Sequence, residues 1–186
     1  MKILAVQSRM GIGDTVIFLP FIKALSKKFN SPISILVKEN SKANQYLHQT
    51  KYIDKILTLE RDNKTNNRHG GFFGIFKLAN DLKKYKFDKI FIFNSSLRFN
   101  LVAKISGIPQ IYQYPLFAKN KQHIIEAPKK FLKENLNLDI NEDPEVQIDN
   151  DSISKAAQKF QIDKNTTNIL LGIGGSGPTK RIPAKT

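Results

Sequence analysis

The stretch QSRMGIGDTVIFLP, Gln7 to Pro20, follows the apolar run KILAVQ, Lys2 to Gln7. Together they read as a strand, a glycine turn and a helix, an arrangement that presents backbone N–H groups to a phosphate. A dinucleotide fingerprint would place its glycines at Gly11 and Gly13, with Glu39 at the end of the next strand as the ribose-binding acid. Two residues argue against that reading. Val16 holds the place of the third glycine, so the close helix–strand approach is lost. Asp14 would sit in the phosphate's seat, where the helix dipole already attracts a negative charge. Two readings of Asp14 follow: an N-cap, or a carboxylate at the C-terminal edge of a parallel sheet that serves as general base toward a hydroxyl.

Working outward, Val16, Leu19, Ile22, Leu25 and Phe29 recur at helical spacing, which predicts a helix over Thr15–Phe29 with Pro20 in its first turns. ISILVKE (Ile33–Glu39) and KILTLE (Lys55–Glu60) read as strands, with a short helix capped by Ser41 between them, Ser41–Gln49. RDNKTNNRHGG, Arg61 to Gly71, is polar and unpatterned and is expected as a mobile surface loop. A helix over Phe72–Tyr85, a strand over Phe87–Asn94, a helix over Leu97–Ile105 stopped at Gly107 and a strand over Ile108–Tyr114 continue the alternation. A lysine-rich amphipathic helix, Ile124–Leu136, is followed by an acidic connector, a helix over Ser152–Phe160 and a strand NILLGIGG, Asn168 to Gly175. Apolar runs alternating with helices imply an α/β fold whose parallel sheet is covered on both faces. The expected organisation is a Rossmann-like domain over residues 1–149, then a connector, strand and glycine loop over 150–186 that open a second, truncated domain.

The bulk composition fits a soluble globular protein: 186 residues, 40% apolar and 25% charged. No apolar stretch approaches the roughly 20 residues that span a bilayer, and the N-terminus lacks a signal peptide's cleavage site. Without cysteine, thiolate metal sites and disulfides are excluded and a cytoplasmic location is the default. The net charge of +14 favours an anionic partner: nucleic acid, a phosphorylated sugar or an acidic membrane face. An AT-rich coding sequence also enriches Lys, Asn and Ile, so the charge permits such a partner without specifying it.

The second glycine loop, GIGGSGPTKRIP (Gly172 to Pro183), is not a P-loop, because Pro178 follows Gly177 where a lysine is required. Its glycines and Ser176 still offer N–H groups for phosphate oxygens, with Lys180 and Arg181 adding positive charge. A solvated inter-domain turn is the alternative. GIGDTVIFLPFIKAL, YKFDKIFIFNSSLRFNLVAKISGIP and LLGIGGSGPTKRIP, in that order, resemble the opening, the central strand and the inter-domain segment of the heptosyltransferases, glycosyltransferase family 9. The resemblance implies the amino-terminal part of a two-domain GT-B enzyme, with the acceptor on the first domain and a nucleotide-diphospho-sugar mainly on the second. It implies Asp14 as catalytic base, Lys180 facing the donor diphosphate, Gly175 and Ser176 on donor phosphate, and Gly13, Asn94 and Arg98 on the acceptor side. It further implies ADP-heptose as donor, a lipopolysaccharide core or related lipid-linked glycan as acceptor, inversion, no cofactor and no metal; peripheral contact with the inner membrane is an alternative raised by Phe72, Phe73 and Phe76. Two departures stand out: Ile182 replaces the family's tryptophan, and Ser95–Ser96 replaces its Gly-Leu, which leaves the acceptor's identity open.

His48, His69 and His123 fall on different elements, so no metal site is expected. Phe72, Phe73 and Phe76 read as core by periodicity, with contact to a membrane surface or lipid acceptor as the alternative. The competing function is a non-catalytic Rossmann-like module that holds an anionic glycan or nucleic acid on its basic face. No nucleic-acid motif or aromatic stacking platform accompanies that charge.

Overall fold

Ile3–Val6 forms β1, and all four of its side chains are buried. Ile3 and Ala5 point to one face of the sheet and Leu4 and Val6 to the other, as a strand's two-residue period requires. In the computed structural model, which describes residues 1–8, 11–61, 67–116, 123–163 and 165–171, β1 is the middle of five parallel strands. The elements run β1, α1 (Ile12–Phe29), β2 (Ile33–Lys38), a 3-10 turn (Glu39–Ser41), α2 (Ala43–Tyr46), β3 (Ile53–Leu59), α3 (Phe73–Lys83), β4 (Lys89–Ile92), α4 (Leu97–Ile105), β5 (Gln110–Gln113), α5 (Glu126–Leu136) and α6 (Asn150–Lys159). The strand order is β3-β2-β1-β4-β5. The chain therefore winds outward from β1 to β3, crosses back, and continues on β1's other side.

Helices cover both faces, which is why β1, β2 and β4 are apolar runs rather than alternating strands. α1 and α5 pack on one face through Phe18, Phe21, Leu25, Phe131 and Leu132. α3 and α4 cover the other through Ile75, Leu78, Leu82, Phe99 and Val102. Beneath the carboxyl ends of β4 and β5, edge-to-face rings lock the first face: Phe18 on Phe93 at 5.3 Å, Phe93 on Phe131 at 5.5 Å and Tyr114 on Phe131 at 5.0 Å. Met1–Ile148 forms one compact unit and Asp149–Thr186 a second. In the second, Asp149 caps α6 by accepting the Ser152 N–H at 2.7 Å, and α6 buries none of its residues.

Five expectations need correction. α1 begins at Ile12 rather than Thr15, so Pro20 lies buried in its interior, where it has no N–H for the Val16 carbonyl. The helix expected over Ser41–Gln49 is only Ala43–Tyr46, because Lys42 adopts a left-handed φ of 49° that breaks the turn; Ser41 Oγ instead accepts the Ala43 N–H. Of the surface loop expected over Arg61–Gly71, residues 62–66 lie outside the described residues, and His69 is buried rather than at the surface. Phe72, Phe73 and Phe76 are exposed, because the buried stripe of α3 is Gly74, Ile75, Leu78, Ala79 and Leu82, one step out of phase with the phenylalanines. Asn168–Leu171 forms no strand, and Leu170 is 96% exposed. A strand needs a neighbour to take its backbone hydrogen bonds, and none lies among the described residues of that unit.

Candidate functional site

In this strand order the crossover reverses direction between β1 and β4, leaving a crevice at their carboxyl ends where open parallel sheets place ligands. Polar residues replace the apolar run as soon as β1 ends. The Gln7 backbone N–H still bonds the Leu36 carbonyl at 3.0 Å, and its buried side chain donates to the Asp14 carbonyl at 3.2 Å. Ser8 Oγ accepts from Asn94 Nδ2 at 3.2 Å, joining the ends of β1 and β4. Consecutive residues thus tie the start of α1 and the turn after β4 to the same strand end.

Gly11 is the N-cap of α1, with φ 107° and ψ 159°, a region essentially closed to residues with a Cβ. That backbone places Asp14 at the third position of the helix, in its first turn, where a carboxylate complements the dipole. Asp14 is therefore not the N-cap. Its carboxylate is partly exposed and meets no hydrogen-bond donor or cation among the described residues. Gly13, on the open side of the same turn, has nothing within 4 Å of where a Cβ would stand. Thr15, next in the helix, bonds back to the Gly11 carbonyl at 3.1 Å and fixes the turn.

The turn after β4 is held on three sides. Asn94 Oδ1 accepts the Ser96 N–H at 2.9 Å, and Gln113 Nε2 donates to the carbonyls of Asn94 at 3.1 Å and Ser96 at 2.9 Å. Asn100 Nδ2 in turn holds Gln113 Oε1 at 3.0 Å. Arg98, expected on the acceptor side, donates to the Gly71 carbonyl at 2.7 Å and to the His69 carbonyl, so it braces the loop that leads into α3. His69 Nδ1 accepts the Glu60 N–H at 3.1 Å, which leaves Nε2 to donate to Asp81 at 3.2 Å. Burial pushes the Asp81 carboxyl up, but the His69 hydrogen bond and the charges of Arg68 and Lys84 outweigh it and hold it below the usual carboxylate range.

Two clefts open at the strands' carboxyl ends on either side of this crevice. One of about 430 Å³ follows β2 and is lined by Lys38, Glu39, Ser41, Lys42 and Asn44. The other, about 420 Å³, follows β5 and is lined by Tyr114, His123, Glu126, Lys130 and Phe131. The arrangement is a carboxylate with an open approach, hydroxyl and amide groups beside it, and lysines in the flanking cleft. Chemically, it can orient a polyhydroxylated, anionic ligand and take a proton from one of its hydroxyls.

Of the residues expected from sequence, Gly13, Asp14 and Asn94 come together at the crevice, while Arg98 supports its wall. Gly175, Ser176 and Lys180 lie outside the described residues. Ser8 and Gln113 were not anticipated: the only signal for Ser8 is a hydroxyl directly after a buried strand, and Gln113 reads as one more polar strand residue. No group of three or more His, Asp or Glu residues that could hold a metal occurs among the described residues, and no helix there is long and apolar enough to cross a membrane.

No protein-family model matches the sequence, and no curated protein matches it. Solved structures do match the fold. The crystal structure of a glycosyl transferase family 9 protein from Veillonella parvula DSM 2008 superposes with a TM-score of 0.73 at 19% identity, covering 99% of this chain and 57% of that one. The E. coli ADP-heptose lps heptosyltransferase II matches with a TM-score of 0.58 at 15% identity, covering 88% of this chain and 52% of that one. E. coli heptosyltransferase WaaC with ADP-2-deoxy-2-fluoro heptose gives 0.50 at 11% identity over 76% of this chain and 50% of the other. The chain thus has the α/β fold of these glycosyltransferases over about half their length.

Proposed function

We propose that the chain is the acceptor-side part of a glycosyltransferase. The enzyme would move a sugar, heptose by the family resemblance, from a nucleotide-diphosphate donor to a lipopolysaccharide core or related lipid-linked glycan at the cytoplasmic face of the membrane. The observation that carries this reading is Asp14: a carboxylate in the first turn of α1, at the switch-point crevice, with no partner among the described residues. The fold shared with glycosyltransferases of family 9 supports it.

In the proposed reaction the Asp14 carboxylate removes the proton of the acceptor hydroxyl as its oxygen attacks the anomeric carbon from the face opposite the diphosphate. The bond from that carbon to the diphosphate oxygen breaks, and the nucleoside diphosphate leaves with the electron pair. A single displacement of this kind inverts the anomeric configuration. Gly13 and Asn94 are assigned to the acceptor. Gly175, Ser176 and Lys180 are assigned to the donor, with Lys180 offsetting the charge that builds on the leaving group. Cations and N–H groups fulfil that role without a metal.

The test is sugar transfer from ADP-heptose by the complete gene product, with the anomeric configuration of product read by NMR and the reaction repeated with chelator. Inverted product formed equally well with chelator supports the reading. Retention of configuration, or no transfer from any nucleotide-diphospho-sugar, contradicts it.

A further inference from the structure

We propose that the outward face of α3 and α4 is a docking surface for an anionic lipid bilayer. Phe72, Phe73 and Phe76 are 69%, 76% and 48% exposed, and Phe72 meets the other two edge to face, Phe73 at 6.0 Å and Phe76 at 5.7 Å. Three neighbouring phenylalanines left this exposed form an apolar patch of the kind that marks an interaction surface.

α4 adds a second apolar row. Leu97, Leu101 and Ile105 are exposed and recur every four residues, so they share one side of the helix. Arg98 reaches the carbonyls of His69 and Gly71, which shows the shoulder of α4 that meets the α3 side, and Leu101 and Ile105 follow Arg98 at three and seven residues on that shoulder. On α3, Asp81 turns toward His69, while Phe72 and Phe76 lie on the opposite shoulder. α3 and α4 share one core cluster beneath them, and each leaves its own apolar row exposed.

Charge selects the occupant. The two helices carry Lys77, Lys83, Arg98 and Lys104 against the single acid Asp81, which His69, Arg68 and Lys84 already engage. Lys77, Lys83 and Lys104 are exposed among the apolar side chains. In a two-fold dimer through this face those lysines would oppose their own copies. An anionic bilayer instead accepts the aromatic rings at the headgroup level and draws the lysines to its surface. Phe72 and Phe73 open α3 directly after the loop from β3, at the same sheet edge as Asp14, so docking would bring the crevice edge to the lipid. The inference does not depend on transfer chemistry: vesicle binding and turnover fail separately.

The experiment is cosedimentation of the 186-residue chain with vesicles of phosphatidylglycerol and phosphatidylcholine in equal parts, and with phosphatidylcholine alone. Binding to the mixed vesicles and not to the neutral ones is expected, weakening in high salt. Two variants are compared at unchanged Tm: Phe72→Ser/Phe73→Ser/Phe76→Ser and Lys77→Glu/Lys83→Glu/Lys104→Glu. Each should bind about tenfold more weakly, since the anchor needs both apolar insertion and charge. If the triple phenylalanine variant fails to fold, Phe73→Ser alone, at the most exposed of the three, replaces it with a smaller loss in the same direction. Absence of binding by the unaltered chain overturns the proposal. So does equal binding by a folded phenylalanine variant, or a dimer that this variant abolishes in a chain that ignores vesicles.

Discussion

The side-chain amide of Asn94 donates to Ser8 Oγ at 3.2 Å, joining the carboxyl ends of β4 and β1 where the direction of winding reverses. The same residue accepts the Ser96 N–H with its oxygen and so orders the entry to α4. Asn94→Ala removes both bonds at a partly exposed site. It should cost about 1–2 kcal/mol, read as a lower urea midpoint with unchanged m-value. Ser8→Ala loses only one of the two and should cost roughly half as much.

The glycines of the α1 turn and of α3 should respond in opposite senses. A Cβ on Gly74 would stand 2.3 Å from the His69 carbonyl carbon, 2.4 Å from its oxygen and 2.8 Å from Arg98 Nη2. Backbone on one side and a braced guanidinium on the other leave no room, so Gly74→Ala should destabilise the fold by about 1–3 kcal/mol. Gly13 has open space and helical geometry, and Gly13→Ala should stabilise by up to about 1 kcal/mol. Thermal melting of the two variants side by side checks both signs. If Gly13 faces the acceptor, the added methyl raises the acceptor KM while Tm rises.

Asp81 gives the fold an acid-sensitive contact. Its folded-state pKa lies below its ordinary value of 3.8, so the stability it contributes is fully present above that value. That stability is lost as the pH falls through the lowered folded value. Asp81→Asn should therefore be less stable than the parent chain near neutral pH, and the gap should close as acid protonates the parent's carboxyl. Urea midpoints of both chains between about pH 7 and pH 3 test this; a gap that is independent of pH contradicts it.

The sheet was legible because a strand buried on both faces must be largely apolar, and Ile3–Val6, Ile35–Val37 and Ile90–Ile92 are apolar runs. What misled was phase and partnership. Glycine at position 11 looked like a turn that delays the helix, yet its positive φ lets α1 start at once, which moves Asp14 from cap to first turn. The phenylalanines before and within α3 share its apolar character but not its buried stripe, and only packing against α4 and the sheet shows which stripe is buried. Asn168–Leu171 has strand composition without a strand beside it. Ser8 and Gln113 act across β1–β4 and β4–β5, pairings that follow from a crossover and leave no local mark on the sequence. Asp14 was readable as a carboxylate at the carboxyl edge of a parallel sheet, whereas Gly13 and Asn94 were expected only through the family resemblance.

The account rests on Asp14 as the base, and kcat of the complete gene product carrying Asp14→Asn is its most direct measure. The amide keeps the shape and leaves the Gln7 bond to the backbone carbonyl in place, so the Tm should change little. With the base removed, kcat should fall about 10²- to 10⁴-fold. A folded Asp14→Asn enzyme with near-normal kcat would show that the carboxylate serves the helix dipole and not the chemistry, and would contradict the account.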